Sequence, residues 1–343
     1  MPYLRTEPPA FVFLIHPRDV ADLYSAPGAS MISAHSASED EFRDKMLSMP
    51  PTFSGEVTFG FSPIRGETLV VFRMPEQIMF SGGRAQIEEA LRVAVARGTR
   101  VVGLGALTAP ATRGGLSLLP LLPRGLTLTT GNAYTAAVAR SNVVEVSEAM
   151  GLGTDAIVAV VGCTGSVGVC AARLLDRHGY RLTLVGRSVT RVRKELPDLV
   201  ERATVCGTIE DVRRADIVLL LTGDPAAHIP PGLPRPGAAV LDLAHPVNIK
   251  PSLYPDFAAR GVRVMQGGLV RIPGYHCAQE MRLPDPRCAL ACLTETYLFA
   301  KAGITTHSVG QASVGTALML EEVAAQHGVA PWPLDLPQLS GAR

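Results

Sequence analysis

The clearest pattern along the chain is a series of short apolar runs separated by stretches with helical periodicity. Ile157–Val161 is continuously apolar, as expected of a parallel strand that is buried on both faces. A glycine-rich turn and an amphipathic stretch to His178 follow. Later apolar runs predict further strands at Leu182–Val185, Ala203–Val205, Ile217–Leu221, Ala239–Leu243 and Val262–Met265. This alternation of strands with helical segments predicts a doubly wound α/β sheet.

The N-terminal part has a similar alternation. Phe11–His16 predicts a strand, and the apolar stripe of Gly83–Gly98 predicts an amphipathic helix with a glycine cap. Arg100–Leu104 predicts the next strand. Residues 26–55 are polar, rich in serine and interrupted by prolines, so we expect a mobile loop or lid there.

Composition narrows the classes of protein to consider. The 343 residues are 47% hydrophobic, which is ample for a large core and excludes general disorder. The net charge of +1 gives no general affinity for nucleic acid or anionic membranes, so neither is an expected partner. No apolar run has the length of a membrane-spanning helix, and the short apolar start indicates a strand rather than a signal peptide. The six irregularly spaced cysteines favour free thiols in a reducing cytoplasm.

The turn after Ile157–Val161 is a GxxGxxG loop that opens a helix. Glycines permit a tight turn and a close approach of backbone to a pyrophosphate, which the N–H groups and dipole of the helix start then hold. Because strand, loop and helix are all present, dinucleotide binding is favoured over an ordinary turn. The candidate cofactor residues in this loop are Gly162, Thr164, Gly165, Ser166, Val167 and Gly168.

The end of the second predicted strand indicates which dinucleotide is bound. An NAD site usually has a carboxylate there, but this chain has Arg187 and Ser188, with Arg191 one turn later. Guanidinium groups suit the 2′-phosphate of NADPH, although the arginines could also belong to a solvated helix surface. Three further residues expected at the carboxyl edge are candidates for cofactor contact, or plain turn residues: Thr222, Gly267 and Gly268.

A cysteine near the start of a C-terminal helix is the candidate nucleophile. The segment around Cys288 and Cys292 follows a proline-rich turn, and a helix over Cys288–Lys301 would place both on one face. N–H groups at a helix start stabilise a thiolate and lower its pKa. Two alternatives stay open, namely buried cysteines that act as small apolar residues, and a metal pair aided by His276 or Cys277. No second ligand pair of the usual spacing is present, so no metal site is expected.

Several separated stretches resemble the long-chain acyl-[acyl-carrier-protein] reductases of cyanobacteria and related bacterial proteins. They occur in that family's order over about residues 100–303, with a weaker similarity at Phe11–His16. The matching stretches are Thr129–Thr135 (TTGNAYT), the loop Gly162–Gly168, Asp242–Asn248 (DLAHPVN), Gln266–Val270 (QGGLV) and Ala291–Glu295 (ACLTE). The resemblance implies that Cys292 carries a transient acyl thioester and that NADPH reduces it to an aldehyde. The substrate would be an acyl group on acyl carrier protein or coenzyme A.

Other groups can be given roles within that chemistry. An oxyanion would need fixed donors, for which backbone N–H groups near Cys292 or near Thr130 and Asn132 are candidates, unless the latter two only cap a helix. A proton must reach the leaving thiolate of the carrier. His245, just after a predicted strand end, is the first candidate acid, and His276 is the second.

The expected architecture is therefore α/β, with a doubly wound NADP-binding Rossmann domain, a second N-terminal α/β substrate domain and C-terminal helices. The expected boundaries are 1–145 for the substrate domain, 146–285 for the Rossmann domain and 286–343 for the helices that carry Cys292. Two alternatives to a thioester reductase remain. One is a ketone or alcohol dehydrogenase of shikimate-dehydrogenase type, and the other is a non-catalytic NADPH sensor.

Overall fold

The computed structural model describes residues 7–80, 82–223, 228–244 and 247–336. The chain divides into two compact units. The first consists of residues up to 131 together with 271–310 and 323–330. The second consists of 132–270, 311–322 and the residues from 331 onward. This division differs from the boundaries expected at 145 and 285, because the segment that carries Cys292 packs with the N-terminal part of the chain.

Strands and helices alternate along most of the chain. The strands are β1 (Phe11–Ile15), β2 (Thr52–Phe59), β3 (Gly66–Val70), β4 (Val101–Leu104), β5 (Thr127–Thr129), β6 (Ile157–Val161), β7 (Arg181–Val185), β8 (Thr204–Cys206), β9 (Ile217–Leu220), β10 (Ala239–Asp242), β11 (Arg263–Gln266), β12 (Leu269–Arg271), β13 (Tyr275–Cys277), β14 (Cys288–Leu290) and β15 (Ala330–Pro331). The helices are α1 (Val20–Tyr24), α2 (Ala29–Ala34), α3 (Glu39–Leu47), α4 (Pro75–Phe80), α5 (Gly83–Ala96), α6 (Thr108–Ala111), α7 (Asn132–Ala149), α8 (Ser166–His178), α9 (Val189–Glu195), α10 (Tyr254–Ala258), α11 (Ala291–Ala302) and α12 (Val314–Gln326). Short 3₁₀ helices lie at Leu116–Leu121, Gly153–Asp155, Ile209–Arg214 and Pro251–Leu253.

The first unit is built on a six-stranded sheet in the order β13-β2-β3-β1-β4-β5. Strands β3, β1, β4 and β5 are parallel, whereas β2 and β13 are antiparallel additions at one edge. The chain adds β3 on one side of β1 and then β4 on the other side. The strand order therefore reverses between β1 and β4, and such a reversal opens a crevice at the carboxyl ends of the two strands.

Helix α5 packs onto this sheet through the predicted apolar stripe. Ile87, Ala90, Leu91 and Ala94 are buried in one cluster with inward side chains of β1, β3, β4 and β5. Full burial of an aliphatic side chain such as Ile87 or Leu91 stabilises the fold by about 1.5–3 kcal/mol. The spacing of three and four residues within this stripe therefore fixes the face of α5 that meets the sheet.

The expected loop or lid over residues 26–55 is wrong. This segment contains α2, α3 and the start of β2, and Phe42 and Met46 of α3 are buried in a small cluster. Ser38 caps α3 by accepting a hydrogen bond from the N–H of Glu41 at 3.2 Å, and the Glu41 carboxylate accepts from the N–H of Ala37. This reciprocal cap is a sequence signal for a helix start, and the polar composition obscured it.

The second unit is built on a fully parallel six-stranded sheet in the order β11-β10-β9-β6-β7-β8. Numbered within the unit, this is the order 6-5-4-1-2-3 of a doubly wound dinucleotide-binding fold. The prediction of an α/β fold with a doubly wound sheet is confirmed. The order reverses between β6 and β9, which places the loops after these two strands at the crevice where such folds bind ligands.

Helices α7 and α8 pack together in this unit, and strands β6, β9 and β10 are buried almost completely. Their continuous apolar runs, such as that of β6, fit strands covered on both faces. Among the described residues, no helix is both long enough and apolar enough to cross a membrane.

Candidate active site

The predicted glycine loop joins β6 to α8 at the carboxyl edge of the second sheet. Gly162 has a φ of +86°, and a Cβ there would meet the carbonyl group of Leu221 at 3.0 Å. A Cβ on Gly168 would lie 2.2 Å from the carbonyl oxygen of Gly162. The first glycine thus permits the turn, and the last permits α8 to begin directly against the strand. Both match the roles that glycines have in dinucleotide-binding loops.

The other candidates in this loop lie in the same turn or the first turn of α8. Thr164, Ser166 and Val167 are half-buried, and Gly165 is the exposed residue that precedes the helix. The hydroxyl of Ser166 accepts a hydrogen bond from the N–H of Ala312 at 2.9 Å. The loop is therefore supported by a later segment of the same unit, a contact that no local sequence pattern indicated.

Arg187, Ser188 and Arg191 follow β7 and are exposed. The hydroxyl of Ser188 caps α9 by accepting from the N–H of Arg191 at 3.2 Å, so a capping role is present in the structure. Gly186 permits the close approach of α9, because a Cβ there would lie 2.8 Å from the side chain of Val192. Arg187 and Arg191 thus lie at the carboxyl edge of the second sheet. They follow β7, which pairs with β6, and β6 is the strand that precedes the glycine loop.

The three further turn candidates also lie at this edge. Thr222 follows β9, and a Cβ placed on Gly162 would lie 3.1 Å from the Cβ of Thr222. Gly267 and Gly268 follow β11 and are buried. A Cβ on Gly267 would meet Leu243 at 2.6 Å, and the N–H of Gly268 donates to Asn142 Oδ1 at 3.0 Å. Close packing against Leu243 thus accounts for Gly267, and a φ of +73° accounts for Gly268.

Asp242, the first residue of the DLAHPVN segment, accepts hydrogen bonds from backbone N–H groups that follow it in the chain. The fully buried carboxylate of Asp242 accepts hydrogen bonds from the N–H groups of Ala244, Asn248 and Ile249 at 2.7–3.0 Å. Burial raises the pKa of Asp242, while these three hydrogen bonds lower it. The candidate acid His245 lies outside the described residues.

Cys292 is the second residue of α11, in the first unit. This helix packs on β1 and β4. Gly103 of β4 makes the close packing possible, because a Cβ there would lie 2.1 Å from Thr296 Oγ1. Thr296 Oγ1 also shares a 3.0 Å hydrogen bond with Thr129 Oγ1 of β5. The first half of α11 therefore packs closely against the sheet at Thr296, one turn after Cys292.

The TTGN and ACLTE stretches, which are far apart in the sequence, meet at Cys292. Gly131 has a φ of +76°, and a Cβ there would lie 2.2 Å from the Cβ of Cys292. The N–H of Gly131 donates to Glu295 Oε1 at 3.0 Å, and Glu295 is 0% exposed. The N–H of Thr130 donates to the carbonyl oxygen of Ser308 at 3.0 Å. Gly131, which follows Thr130, thus packs against Cys292 and is hydrogen-bonded to Glu295.

Asn132 begins α7 and is half-buried. It is the first residue of the second unit, and Thr130 belongs to the first. Thr130 is almost fully buried.

Two groups at this site were missed by the sequence reasoning. The loop after β4 contains Ala106, and backbone hydrogen bonds from Leu293 and Ala106 lower the pKa of the Cys292 thiol. His16, at the end of β1, is 6% exposed, and its Nε2 accepts from the N–H of Leu107 at 3.3 Å. The only signal for His16 was its position directly after the apolar run of β1.

The expectation of a lowered pKa at Cys292 is wrong. Part of the Cys292 surface is accessible, but the surrounding protein desolvates the sulfur and raises its pKa to about 11. The hydrogen bonds from Leu293 and Ala106 lower the pKa, and the charge of Glu295 raises it, but burial is the largest effect. In this state the sulfur carries its proton at neutral pH, so attack on a substrate requires removal of that proton.

The neighbouring cysteines occupy different surroundings from those expected. Cys288 lies in β14 and is 1% exposed, so it does not share a helical face with Cys292. The hydroxyl of Tyr275 donates to the Cys277 sulfur, and burial raises the pKa of both groups. His276 is exposed on β13. All six cysteines are free thiols, and the described residues contain no cluster of three or more His, Cys, Asp and Glu side chains placed to hold a metal.

No family model matches the chain. The chain is 27% identical over 327 residues to the long-chain acyl-[acyl-carrier-protein] reductase of Synechococcus elongatus, an alignment that covers 86% of this chain and 93% of that protein. It is 24% identical over 251 residues to the aminotransferase PigE of a Serratia species, covering 69% of this chain and 28% of PigE. The L-tryptophan dehydrogenase of Nostoc punctiforme is a similar solved structure, with a TM-score of 0.39, 16% identity and coverage of 75% of this chain and 69% of that chain.

The yhdH oxidoreductase of Salmonella enterica, solved with NADP, has a TM-score of 0.33 and 21% identity over 52% of this chain and 53% of that chain. The strand order of the second sheet decides the fold class without these likenesses. The second unit has a doubly wound Rossmann fold.

Proposed function

We propose that this protein is an NADPH-dependent reductase that converts an acyl thioester to an aldehyde through an acyl-enzyme on Cys292. The observation that carries the proposal is the meeting of TTGN and ACLTE around one thiol at the carboxyl edge of a parallel sheet, where backbone N–H groups donate to the sulfur. Sulfur suits this chemistry because its thiolate is a strong nucleophile and also a good leaving group. The relative from Synechococcus elongatus supports the same reaction class.

The proposed reaction has two halves. The Cys292 thiol gives up its proton and the thiolate attacks the carbonyl carbon. The carbon–sulfur bond to the carrier breaks, and the carrier leaves as a thiol after it takes up a proton, so this half has no net gain or loss of protons. When bound, NADPH supplies the hydride that reduces the acyl-enzyme to a thiohemiacetal. Collapse of this species releases the aldehyde and returns the Cys292 thiolate. The carrier is acyl carrier protein or coenzyme A, and His245 or the exposed His276 supplies the proton.

The residues of the second unit fit NADPH. Gly162 permits the tight turn and Gly168 permits α8 to begin close against that turn, and the N–H groups of the first turn of α8 are suited to hold a pyrophosphate. Arg187 and Arg191 provide guanidinium groups for a 2′-phosphate at the end of β7.

The cofactor assignment can be tested by titration with NADPH and NADH. Arg187→Ala is expected to weaken NADPH binding at least about tenfold and to leave NADH binding unchanged, since a charge-assisted hydrogen bond is worth about 1.5–3 kcal/mol. Arg181→Ala is the matched control, because Arg181 is an exposed arginine at the opposite end of the same strand. Equal effects of the two substitutions on NADPH binding would refute the role of Arg187.

The reaction can be tested by intact-protein mass spectrometry. The protein is incubated without NADPH with a panel of acyl-CoA and acyl-carrier thioesters. A mass increase of one acyl group is expected, which NADPH discharges, and Cys292→Ala should abolish it. Cys277→Ala, which removes another partly accessible thiol of the same unit, should keep it. Absence of an adduct with every thioester, or an adduct that persists in Cys292→Ala, would overturn the proposal.

A further inference from the structure

The loop between β4 and α6 is held in an unusual conformation beside Cys292. The N–H of Gly105 donates to the carbonyl oxygen of Leu14 at 2.9 Å. A Cβ on Gly105 would lie 2.5 Å from that same oxygen, so the loop runs directly against the end of β1. Ala106 then has a φ of +46°, a left-handed conformation that costs a residue with a Cβ about 1–2 kcal/mol. Such a conformation persists only where the surroundings enforce it.

Two successive N–H groups of this loop have different acceptors. A backbone hydrogen bond from Ala106 lowers the pKa of the Cys292 thiol. The N–H of Leu107 donates to Nε2 of His16 at 3.3 Å. With the left-handed conformation at Ala106, the backbone hydrogen bond of Ala106 is directed to the thiol of Cys292 and the N–H of Leu107 to the imidazole of His16.

Both nitrogens of His16 are engaged. Nδ1 lies 2.9 Å from the carbonyl oxygen of Pro17, so it carries the hydrogen and donates, which leaves Nε2 as the acceptor for Leu107. Burial lowers the pKa of His16, with smaller effects from Asp22 and Arg18, and the ring is therefore neutral near pH 7. A neutral ring fixed at both ends is suited to hold a backbone segment and not to exchange protons.

We propose that His16 is a positioning residue for Cys292. By accepting the hydrogen bond of Leu107, it fixes the turn so that the N–H of Ala106 stays on the sulfur and stabilises negative charge there. This inference rests on the proposed role of Cys292 as the nucleophile. The other titratable groups that act electrostatically with Cys292 are Glu295, on the same helix, and Tyr275, on β13.

The test is the pH profile of Cys292 alkylation by iodoacetamide, followed by mass spectrometry of the Cys292 peptide. His16→Leu removes the acceptor for Leu107, and alkylation at neutral pH is expected to slow about tenfold because the thiolate loses one hydrogen bond to an anion. The profile should move to higher pH by a corresponding amount. His35→Leu, at an exposed histidine of the same unit, should leave the profile unchanged.

Two conservative variants keep the test decisive if His16→Leu does not fold. The side-chain oxygen of glutamine can reach the position of Nε2, so His16→Gln should retain most of the wild-type rate. Asparagine reaches only the position of Nδ1, so His16→Asn should react as slowly as the leucine variant. Identical profiles for the glutamine and asparagine variants, or a wild-type profile for His16→Leu, would overturn the positioning role.

Alkylation requires neither a thioester nor NADPH, so the two proposals fail separately. An unchanged alkylation profile refutes the role of His16 even if an acyl-enzyme forms on Cys292. A missing acyl-enzyme refutes the proposed reaction whatever the alkylation profile shows.

Discussion

Replacement of Gly131 by alanine should disrupt the contact between the TTGN turn and Cys292. The new methyl group would lie 2.2 Å from the Cβ and 2.4 Å from the Cα of Cys292, closer than atoms can approach without movement. The φ of +76° adds a backbone cost of about 1–2 kcal/mol, and overpacking of this kind adds about 1–3 kcal/mol. The free energy of unfolding should therefore fall by about 2–5 kcal/mol.

Gly125→Ala separates the two costs. Gly125 has a φ of +82°, and a Cβ there would have no neighbour within 4 Å among the described residues. Gly125→Ala has only the backbone cost. The loss of unfolding free energy that it causes in chemical denaturation can therefore be subtracted from the loss caused by Gly131→Ala. The difference is the steric cost of moving Gly131 away from Cys292. If both variants unfold at the same denaturant concentration, the close contact with Cys292 is refuted.

Three further substitutions or conditions test the two units. Gly168→Ala should weaken NADPH binding more than tenfold by calorimetric titration, and Gly165→Ala should weaken it less, because a Cβ at Gly165 would lie at a tolerable 3.4 Å from its nearest neighbour. Glu295→Gln removes the negative charge that raises the pKa of Cys292, so alkylation of Cys292 at neutral pH should become faster. Since folding lowers the pKa of His16 from its ordinary value of 6.5, the stability that depends on the neutral ring is complete above pH 6.5. This stability is lost as the pH falls through the lower pKa that His16 has in the folded state. In urea denaturation, the free energy of unfolding should therefore fall less at acidic pH for His16→Gln than for the unsubstituted protein.

The second unit was predictable from local pattern because its central strands are continuously apolar. Ile157–Val161 is β6 as expected, and the glycine loop begins α8 at Ser166. Strands buried on both faces cannot alternate polar and apolar residues, and this makes them visible in a single sequence. The support of Ser166 by Ala312 was not predictable, because the two residues are far apart in the chain.

The first unit was less predictable because distant segments complete it. Strand β13 pairs with β2 through Tyr275, His276 and Cys277, at the edge of a sheet built by the N-terminal part of the chain. A short strand can pair with any exposed edge, and periodicity does not specify which one. The resemblance brought the TTGN and ACLTE stretches together as members of one family, but only the fold shows that Gly131 touches Cys292.

At Cys292, the lowered pKa expected from the helix start is not found, because desolvation by the surrounding protein has the larger effect. The charge of a helix start typically contributes about 0.3–1 kcal/mol. The rise from 9.0 to about 11 corresponds to about 3 kcal/mol against the thiolate, so desolvation exceeds the contribution expected from the helix start. A thiol in this setting resists alkylation and oxidation until its proton is removed. If Cys292 is the nucleophile, the hydrogen bonds from Ala106 and Leu293 therefore matter most when the thiolate forms, since they then act on a full charge in poorly solvated surroundings.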